Sequence, residues 1–234
     1  MHKIDIPVDI LERSRRDRGR DHILETVDPA RTAHLTVDLQ NSFVAEGALV
    51  EVPVAREIVA NVNFISAVMC DAGGLNVFLR YTYDENEPQP WTTWFGTYLT
   101  PDLSLAHKNA FSRGAEPWQL WPLLEVQQTD LVVDKTRFSA FTPGTCPVHA
   151  MLRARGIDTL IITGTLTNVC CESTARDAMQ QNYKIIFVAD GNSALTDAQH
   201  NATLSNMVML FADVMTTEEV AALIKDSKVR AAVT

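Results

Sequence analysis

The sequence predicts a doubly wound, three-layer α/β domain built on a mainly parallel, six-stranded sheet. Short apolar runs alternate with longer segments of helical periodicity, and each run ends in a polar or glycine signal. The runs are largely apolar rather than strictly alternating, which is typical of strands with helices on both faces. With 234 residues, the chain is long enough for one such domain with a sizeable core. We predict this domain over residues 31–234, after an N-terminal extension over residues 1–30.

The six predicted strands are largely apolar segments of six to eight residues. In chain order they are residues 33–38, 75–81, 130–135, 158–164, 184–190 and 209–216. Between them, helical periodicity predicts helices at residues 54–70, 147–155 and 168–181. Gly73 follows the first of these as a helix terminator. Thr196 with Gln199, and Thr216 with Glu219, have the spacing of capping boxes that open two further helices.

Residues 82–118 interrupt the alternation of strands and helices. This segment shows no clear strand and is rich in aromatic residues. The four tryptophans of the chain lie in it or just beyond it, at Trp91, Trp94, Trp118 and Trp121. A loop longer than about 15 residues in a compact domain is commonly a lid, a binding loop or a subunit contact. The sequence is equally compatible with a wall of a substrate site and with a satellite core or oligomer interface.

Composition and charge exclude several classes of function. The net charge is −9, which argues against a nucleic-acid partner because phosphate binding depends on clustered Lys and Arg. No uninterrupted apolar window is long enough to cross a membrane, and the N-terminus is charged, so a cytoplasmic protein without a membrane partner is expected. The four cysteines follow neither a disulfide framework nor a zinc spacing, and reduced thiols are expected.

Reactive side chains are predicted at the carboxyl ends of several strands, where open parallel sheets bind ligands. Asp38 ends the first strand, Lys135 ends the third, and Cys170 and Cys171 follow the fourth. An acid, a cation and a thiol at one edge of a sheet suit a cysteine nucleophile. A thiol of ordinary pKa near ~8.5 is mostly protonated at neutral pH and becomes reactive beside a cation, a base or a helix N-terminus.

The residue pattern alone does not choose between the two cysteines. Thr167 and Asn168 are good N-cap residues, so both thiols fall in the first turn of the predicted helix, where unpaired N–H groups favour an anion. Successive helical residues differ in direction by ~100°, so only one of Cys170 and Cys171 faces the strand ends.

Three blocks of the sequence resemble a known family, the isochorismatase-like cysteine hydrolases. The blocks are VDLQNSF at 37–43, DKTRFSAF at 134–141 and ITGTLTNVCCESTARDA at 162–178. This superfamily includes nicotinamidases, N-carbamoylsarcosine amidohydrolase, and ureidoacrylate and biuret hydrolases. The resemblance extends over about residues 33–216 and leaves out the N-terminal extension and the aromatic-rich segment.

The resemblance implies a role for each residue at the strand ends. Asp38 corresponds to the general acid/base and Lys135 to the cation. In the family pattern the nucleophile directly follows T-N-V, which implies Cys170 and leaves Cys171 as a packing residue. The resemblance also implies a cis peptide bond between Thr165 and Leu166, and an oxyanion hole formed by the N–H groups of Leu166 and Cys170.

The same resemblance implies substrate contacts and the absence of a metal. Phe43 has the best motif support as a substrate contact. Further candidates are Gln40, Trp91, Trp94, Phe138, Phe141 and Thr165. Metal-binding nicotinamidases carry an Asp and two His after the second strand, where this chain reads RYTYDENEP without a His. No catalytic metal and no cofactor are therefore expected, and His107, which is isolated, is expected to be structural or on the surface.

The implied function is hydrolysis of a C–N bond in a small carboxamide or ureide, through a thioester that releases ammonia or an amine. A homo-oligomer, tetramer or dimer, is implied by resemblance only. One alternative is the vinyl ether hydrolysis of true isochorismatases, which lack the nucleophilic cysteine. Another is thiol sensing by Cys170 and Cys171, which would leave Asp38 and Lys135 without a purpose. The sequence is also compatible with a catalytically silent member of the family.

Overall fold

The computed structural model of the protein describes residues 1–231 and contains a six-stranded sheet. Its strands are β1 (Thr32–Val37), β2 (Leu75–Tyr81), β3 (Leu131–Lys135), β4 (Thr159–Thr165), β5 (Lys184–Ser193) and β6 (Asp213–Met215). The order across the sheet is β3-β2-β1-β4-β5-β6, and every pairing is parallel. The predicted fold class is confirmed. The winding direction reverses between β1 and β4, which makes the carboxyl ends of these strands the expected ligand site.

Helices cover both faces of this sheet. They are α1 (Val8–Arg18), α2 (Asn41–Val44), α3 (Ala55–Ala72), α4 (Pro101–Phe111), α5 (Val148–Ala154), α6 (Glu172–Gln180), α7 (Asp197–Asn206) and α8 (Thr217–Ala231). Short turns of 3-10 or π helix occur at Pro29–Arg31, Trp94–Tyr98, Thr167–Cys171 and Met207–Phe211. Among residues 1–231, we find no helix with the length and apolar character of a membrane span.

The alternation of side chains along the central strands forms two cores. Ile161 of β4 packs with Ile65 of α3 and Ile224 of α8 on one face of the sheet. Its neighbour Ile162 packs in the other core, which includes Ala175 of α6. Since successive strand residues point to opposite faces, a continuous apolar run supplies both cores at once. This explains why the central strands could be recognised from sequence.

The predicted helix boundaries rest on capping contacts that the structure shows. The Glu219 N–H donates to Thr216 Oγ1 at 3.3 Å, and the Thr216 N–H donates to Glu219 Oε2 at 2.7 Å. Thr196 Oγ1 accepts from the Gln199 N–H at 3.2 Å. Both capping predictions are confirmed.

The predicted sixth strand was too long. Residues Met207–Phe211 form a π turn that continues α7, and only Asp213–Met215 pair with β5. Helix α1 packs on this turn, where Ser14 Oγ donates to the Val208 carbonyl at 2.9 Å. A short apolar run is compatible with a buried helical turn as well as with a strand, and tertiary packing decides.

The segment at residues 82–118 contains a helix that the sequence analysis did not predict. Helix α4 begins after Thr100, whose side chain accepts from the Leu103 N–H at 3.3 Å, and Pro101 occupies its first position. Both are ordinary helix-start signals. The segment pairs as strand only through an isolated bridge between Tyr83 and Ser112.

The N-terminal extension lies against the domain. Its His2 ring stacks on His200 of α7 with ring centroids 4.4 Å apart, and His2 Nδ1 lies 2.7 Å from Asp197 Oδ1. Arg18, the last residue of α1, donates to the Ala212 carbonyl at 3.1 Å. The extension therefore packs beside α7 and β6.

Candidate active site

Two backbone features bring the ends of β1 and β4 close together. Asp38, directly after β1, has φ of 53°, in the left-handed region, and its N–H donates to the Leu79 carbonyl at 3.0 Å. Opposite Val37 in the ladder, Gly164 has φ of 121°, and a Cβ there would lie 2.1 Å from the Val37 carbonyl oxygen. Only glycine fits this position without moving the backbone. The acid is thereby held at the centre of the sheet edge.

A buried ion pair joins the ends of β1 and β3. Lys135 Nζ donates to Asp38 Oδ2 at 2.7 Å and to the Arg137 carbonyl at 3.0 Å, and both charged side chains are fully buried. Buried charges are tolerated only when paired and hydrogen-bonded. The second carboxylate oxygen, Asp38 Oδ1, is buried and has no hydrogen-bond partner of normal geometry among the described residues. One oxygen therefore binds the ammonium while the other is available to take a proton.

Burial and pairing set the protonation of these two groups. Burial raises the pKa of Asp38, although Lys135 and Cys170 oppose that rise. Burial alone would lower the pKa of Lys135, but the neighbouring Asp38 carboxylate outweighs it, so the pKa of the ammonium is raised. A charged lysine beside a carboxylate that titrates above its usual range suits a base that works near neutral pH.

The two cysteines diverge in the π turn Thr167–Cys171. The Cys171 N–H donates to the Leu166 carbonyl at 3.1 Å, and the turn continues into α6. Cys170 is 3% exposed and interacts with both Asp38 and Lys135. Cys171 is fully buried in the core. The peptide bond between Thr165 and Leu166 is cis, at the position that the resemblance implied.

The Cys170 thiol is protonated in the resting protein. Burial raises its pKa strongly, and the nearby Asp38 carboxylate adds to that rise, while Lys135 opposes it. Burial also raises the pKa of Cys171, which lies in the core. A thiolate at Cys170 must therefore form by proton transfer to a neighbouring base.

A cavity of about 430 Å³ opens onto Cys170. Its walls come from α2 and the loop after it, the end of β2, the segment at residues 82–118, and the turns that follow β3 and β4. The lining residues are Phe43, Val50, Tyr81, Trp94, Leu99, Leu103, His107, Phe111, Phe138, Leu166, Val169 and Cys170. Among these described residues no side chain carries a formal charge at neutral pH, because burial lowers the pKa of His107. Asp38 and Lys135 lie behind Cys170 and do not line the cavity.

Ring contacts connect the aromatic side chains around this cavity. Phe111 lies 4.8 Å from Tyr81 and 5.9 Å from His107, measured between ring centroids. Trp94 lies 6.1 Å from His107 and 5.2 Å from Phe138. Phe138 lies 6.4 Å from Tyr81 and completes the circuit. The aromatic residues thus form a continuous wall.

The predicted substrate contacts divide into two groups. Phe43, Trp94 and Phe138 line the cavity. Trp91 stands outside it, with its ring centroid 4.7 Å from that of Phe138. The aromatic-rich segment therefore supplies part of the cavity wall, one of the two interpretations that the sequence left open.

The remaining predicted contacts have structural roles. The buried Gln40 amide donates to the carbonyls of Tyr81 and Trp118 at 3.0 and 2.8 Å, and accepts from the Tyr81 N–H at 2.8 Å. Phe141 is buried in the core, with its ring 5.4 Å from that of Tyr183. The fully buried Thr165 donates to the Ser193 carbonyl at 3.3 Å. A motif cannot show where a side chain points, and here the amide and hydroxyl serve the backbone.

Sequence analysis missed seven lining residues, and two of them, Tyr81 and His107, carry polar groups. Tyr81 is the last residue of β2, so the strand-end argument applied to Asp38 would have found it. His107 was expected to be structural or on the surface, but it is buried in the cavity wall. A sequence pattern could have indicated its position. Every fourth residue from Leu99 to Phe111, namely Leu99, Leu103, His107 and Phe111, falls on one helix face.

Asp84 in the segment after β2 and Asp134 of β3 are both engaged in ion pairs with Arg113. Arg113 donates to Asp84 at 2.6 Å and to Asp134 at 2.9 Å. Across residues 1–231, no three His, Cys, Asp or Glu side chains are grouped so that they could hold a metal ion.

Comparisons with known proteins identify a matching family model, a related sequence and similar solved structures. The family model for the isochorismatase domain matches residues 32–219. The chain is 30% identical over 201 residues to the ureidoacrylate amidohydrolase RutB of Variovorax paradoxus, covering 80% of this chain and 79% of that protein. It is similar to the crystal structure of a cysteine hydrolase from Pseudomonas syringae pv. phaseolicola, with a TM-score of 0.76, 27% identity, and coverage of 86% and 95%. N-carbamoylsarcosine amidase from Thermoplasma acidophilum shares the fold, with a TM-score of 0.64, 22% identity, and coverage of 80% and 97%.

Proposed function

The chain belongs to the isochorismatase family, and on that premise we propose that it is an amidohydrolase that cleaves the C–N bond of a small carboxamide or ureide through a cysteine thioester. The observation that carries the proposal is that the buried pair of Asp38 and Lys135 interacts with Cys170, which lines an open cavity. The relatives named as an amidohydrolase and a cysteine hydrolase support it.

The first step generates the nucleophile. Asp38 Oδ1 takes the thiol proton of Cys170 while the Lys135 ammonium stabilises the resulting thiolate. Because the thiol is protonated at rest, the thiolate forms when the substrate carbonyl is in place. Sγ then attacks the carbonyl carbon and forms a tetrahedral oxyanion.

The second step expels the amine. The N–H groups of Leu166 and Cys170 are the proposed donors to the oxyanion. Asp38 gives its proton to the departing nitrogen, the C–N bond breaks, and ammonia or an amine leaves. The enzyme retains a thioester from a carboxamide, or a carbamoyl thioester from a ureide.

The third step restores the thiol. Asp38 takes a proton from a water molecule whose oxygen attacks the thioester carbonyl. The C–S bond then breaks, the acid product leaves, and Asp38 returns the proton to Cys170 Sγ. Each proton removed by Asp38 is delivered within the cycle, so no co-reactant is required.

The structure argues against thiol sensing by the vicinal pair, because Cys171 is fully buried in the core and only Cys170 reaches the cavity. Vinyl ether hydrolysis would not use the thiol.

The test is a substrate panel of amides, ureides and isochorismate, with release of ammonia, amine or pyruvate measured. Rapid quenching and intact mass analysis should reveal an acyl or carbamoyl adduct on Cys170. Turnover of isochorismate but of no amide or ureide would contradict the proposal. Amide turnover that depends on Cys170 but forms no adduct on it would contradict the proposal as well.

A further inference from the structure

Three polar atoms in the cavity wall lack partners. Tyr81 Oη, Trp94 Nε1 and His107 Nδ1 are buried and make no hydrogen bond of normal geometry among the described residues. Leaving a buried polar group unpaired costs about 1–3 kcal/mol. All three side chains line the cavity at Cys170, which points to a ligand that supplies the missing partner.

The chemistry of these atoms restricts that partner. An indole N–H only donates, whereas a phenol and a neutral imidazole can donate or accept. The Tyr81 hydroxyl lies within interaction range of the Trp94 indole N–H, but the two do not reach normal hydrogen-bond geometry. The Trp94 and His107 rings are 6.1 Å apart. One acceptor atom on the ligand can therefore meet the Trp94 donor and lie among all three groups. The rest of the wall is aliphatic or aromatic.

A charged ligand does not suit this cavity. A carboxylate would lose its hydration and find no cationic side chain on the lining, a transfer that is strongly unfavourable. A cation could use the aromatic faces, but Lys135 Nζ already lies 5.4 Å from the Tyr81 ring centroid, and the lining offers no carboxylate as a partner. The buried charges of the site thus act at the reacting thiol and amide, and no charged side chain lines the rest of the cavity.

We propose that the substrate is an uncharged primary carboxamide whose acyl group is apolar, of one or two rings or equivalent bulk, and carries one hydrogen-bond acceptor for Trp94, Tyr81 and His107. This inference rests on the proposed amidohydrolase function. A cavity of about 430 Å³ is large enough for such a group. Acidic ureides are excluded by the lining.

The first experiment measures binding without turnover. Calorimetry on the Cys170→Ala protein compares phenylacetamide with its 4-carboxy and 4-trimethylammonio analogues. We expect the neutral amide to bind at least about 100-fold more tightly than either charged analogue, since a buried unpaired charge costs several kcal/mol. Equal or tighter binding of a charged analogue, or no binding of any of the three, would overturn the inference.

The second experiment tests the acceptor. 4-Methoxyphenylacetamide and 4-ethylphenylacetamide are nearly equal in size, but only the first accepts a hydrogen bond. In Trp94→Phe, the preference for the methoxy compound in kcat/KM should fall by about tenfold, the value of one neutral hydrogen bond. Trp121→Phe, outside the cavity lining, is the matched control and should retain the preference. An unchanged preference in Trp94→Phe contradicts the role of the indole.

Different results would refute the amidohydrolase function and the proposed ligand class. Neutral amides that bind but are never hydrolysed by the native enzyme would refute the amidohydrolase function and leave the ligand class standing. Efficient hydrolysis of acidic ureides, with neutral apolar amides ignored, would refute the ligand class and leave the amidohydrolase function standing.

Discussion

The ammonium of Lys135 lies 2.7 Å from Asp38 Oδ2, and neither side chain is accessible to solvent. The carboxylate therefore has a fixed orientation, with Oδ2 on the lysine and Oδ1 without a hydrogen-bond partner of normal geometry among residues 1–231. Each charge depends on the other for its stability in the interior. The following predictions test this arrangement and the proposed roles around it.

Removing the lysine should destabilise the protein. Lys135→Met leaves the Asp38 carboxylate buried without its partner, and the free energy of unfolding should fall by about 3–5 kcal/mol in urea titrations. The double variant Asp38→Asn with Lys135→Met should recover most of that loss, because no unpaired charge remains. A single variant within about 1 kcal/mol of wild type would contradict a charged buried pair.

The pH profile should report Asp38. Because burial raises the pKa of this carboxyl above the ordinary 3.8, and because the deprotonated form is the base, kcat/KM should decline as pH falls through that raised value. The decline should thus begin at a higher pH than for a solvated carboxyl. In Asp38→Asn, activity should be lower by about 10²–10⁴-fold, with this acidic limb absent. A wild-type profile that stays flat down to the ordinary carboxyl range would refute the assignment.

The two cysteines should respond differently to the same substitution. Cys170→Ala should abolish amide hydrolysis, because no nucleophile remains to form the thioester. Cys171→Ala should retain most activity and lose about 1 kcal/mol of stability from a small cavity in the core. Activity is measured as ammonia release, on variants whose circular dichroism is native. A comparable loss of activity in both variants would refute the assignment of Cys170 as the nucleophile.

Gly164 should tolerate no side chain. An added Cβ would lie 2.1 Å from the Val37 carbonyl oxygen and would also need φ of 121°. Gly164→Ala should therefore cost about 2–4 kcal/mol through overpacking and backbone conformation. Gly96 has free space around its Cβ position and an ordinary φ, so Gly96→Ala is the matched control and should stay within about 0.5 kcal/mol of wild type. Equal stability of the two variants would show that β1 and β4 can separate at low cost.

Sequence alone could predict the sheet and the presence of Asp38 and Lys135 at one of its edges for one physical reason. Strands buried on both faces appear as apolar runs, and parallel strands place their ends at one edge, so Asp38 and Lys135 could be located without any contact information. The helical turn left Cys170 and Cys171 equivalent, and the family resemblance chose between them. Geometry agrees with that choice, since Cys170 alone reaches the cavity.

The cavity could not be predicted in the same way. Its walls combine β2, α4 and two turns, and contacts between segments so far apart in the chain leave no local periodicity. Helix α4 was predictable from Thr100 and Pro101, but its position over Cys170 was not. Gln40 shows that a motif residue near a site need not contact the substrate. Its side-chain amide instead donates to the backbone carbonyls of Tyr81 and Trp118.

The dispersal of the site along the chain has a consequence for refolding. Asp38, Lys135 and the turn that carries Cys170 are contributed by β1, β3 and β4, and β3 reaches β1 only through β2. Non-local parallel pairings of this kind form slowly because long loops must close first. A chain that has regained helix but not the full order of strands would hold its thiol apart from both charges. Regain of catalysis during renaturation would therefore mark the completion of four adjacent strands, later than regain of helical circular dichroism.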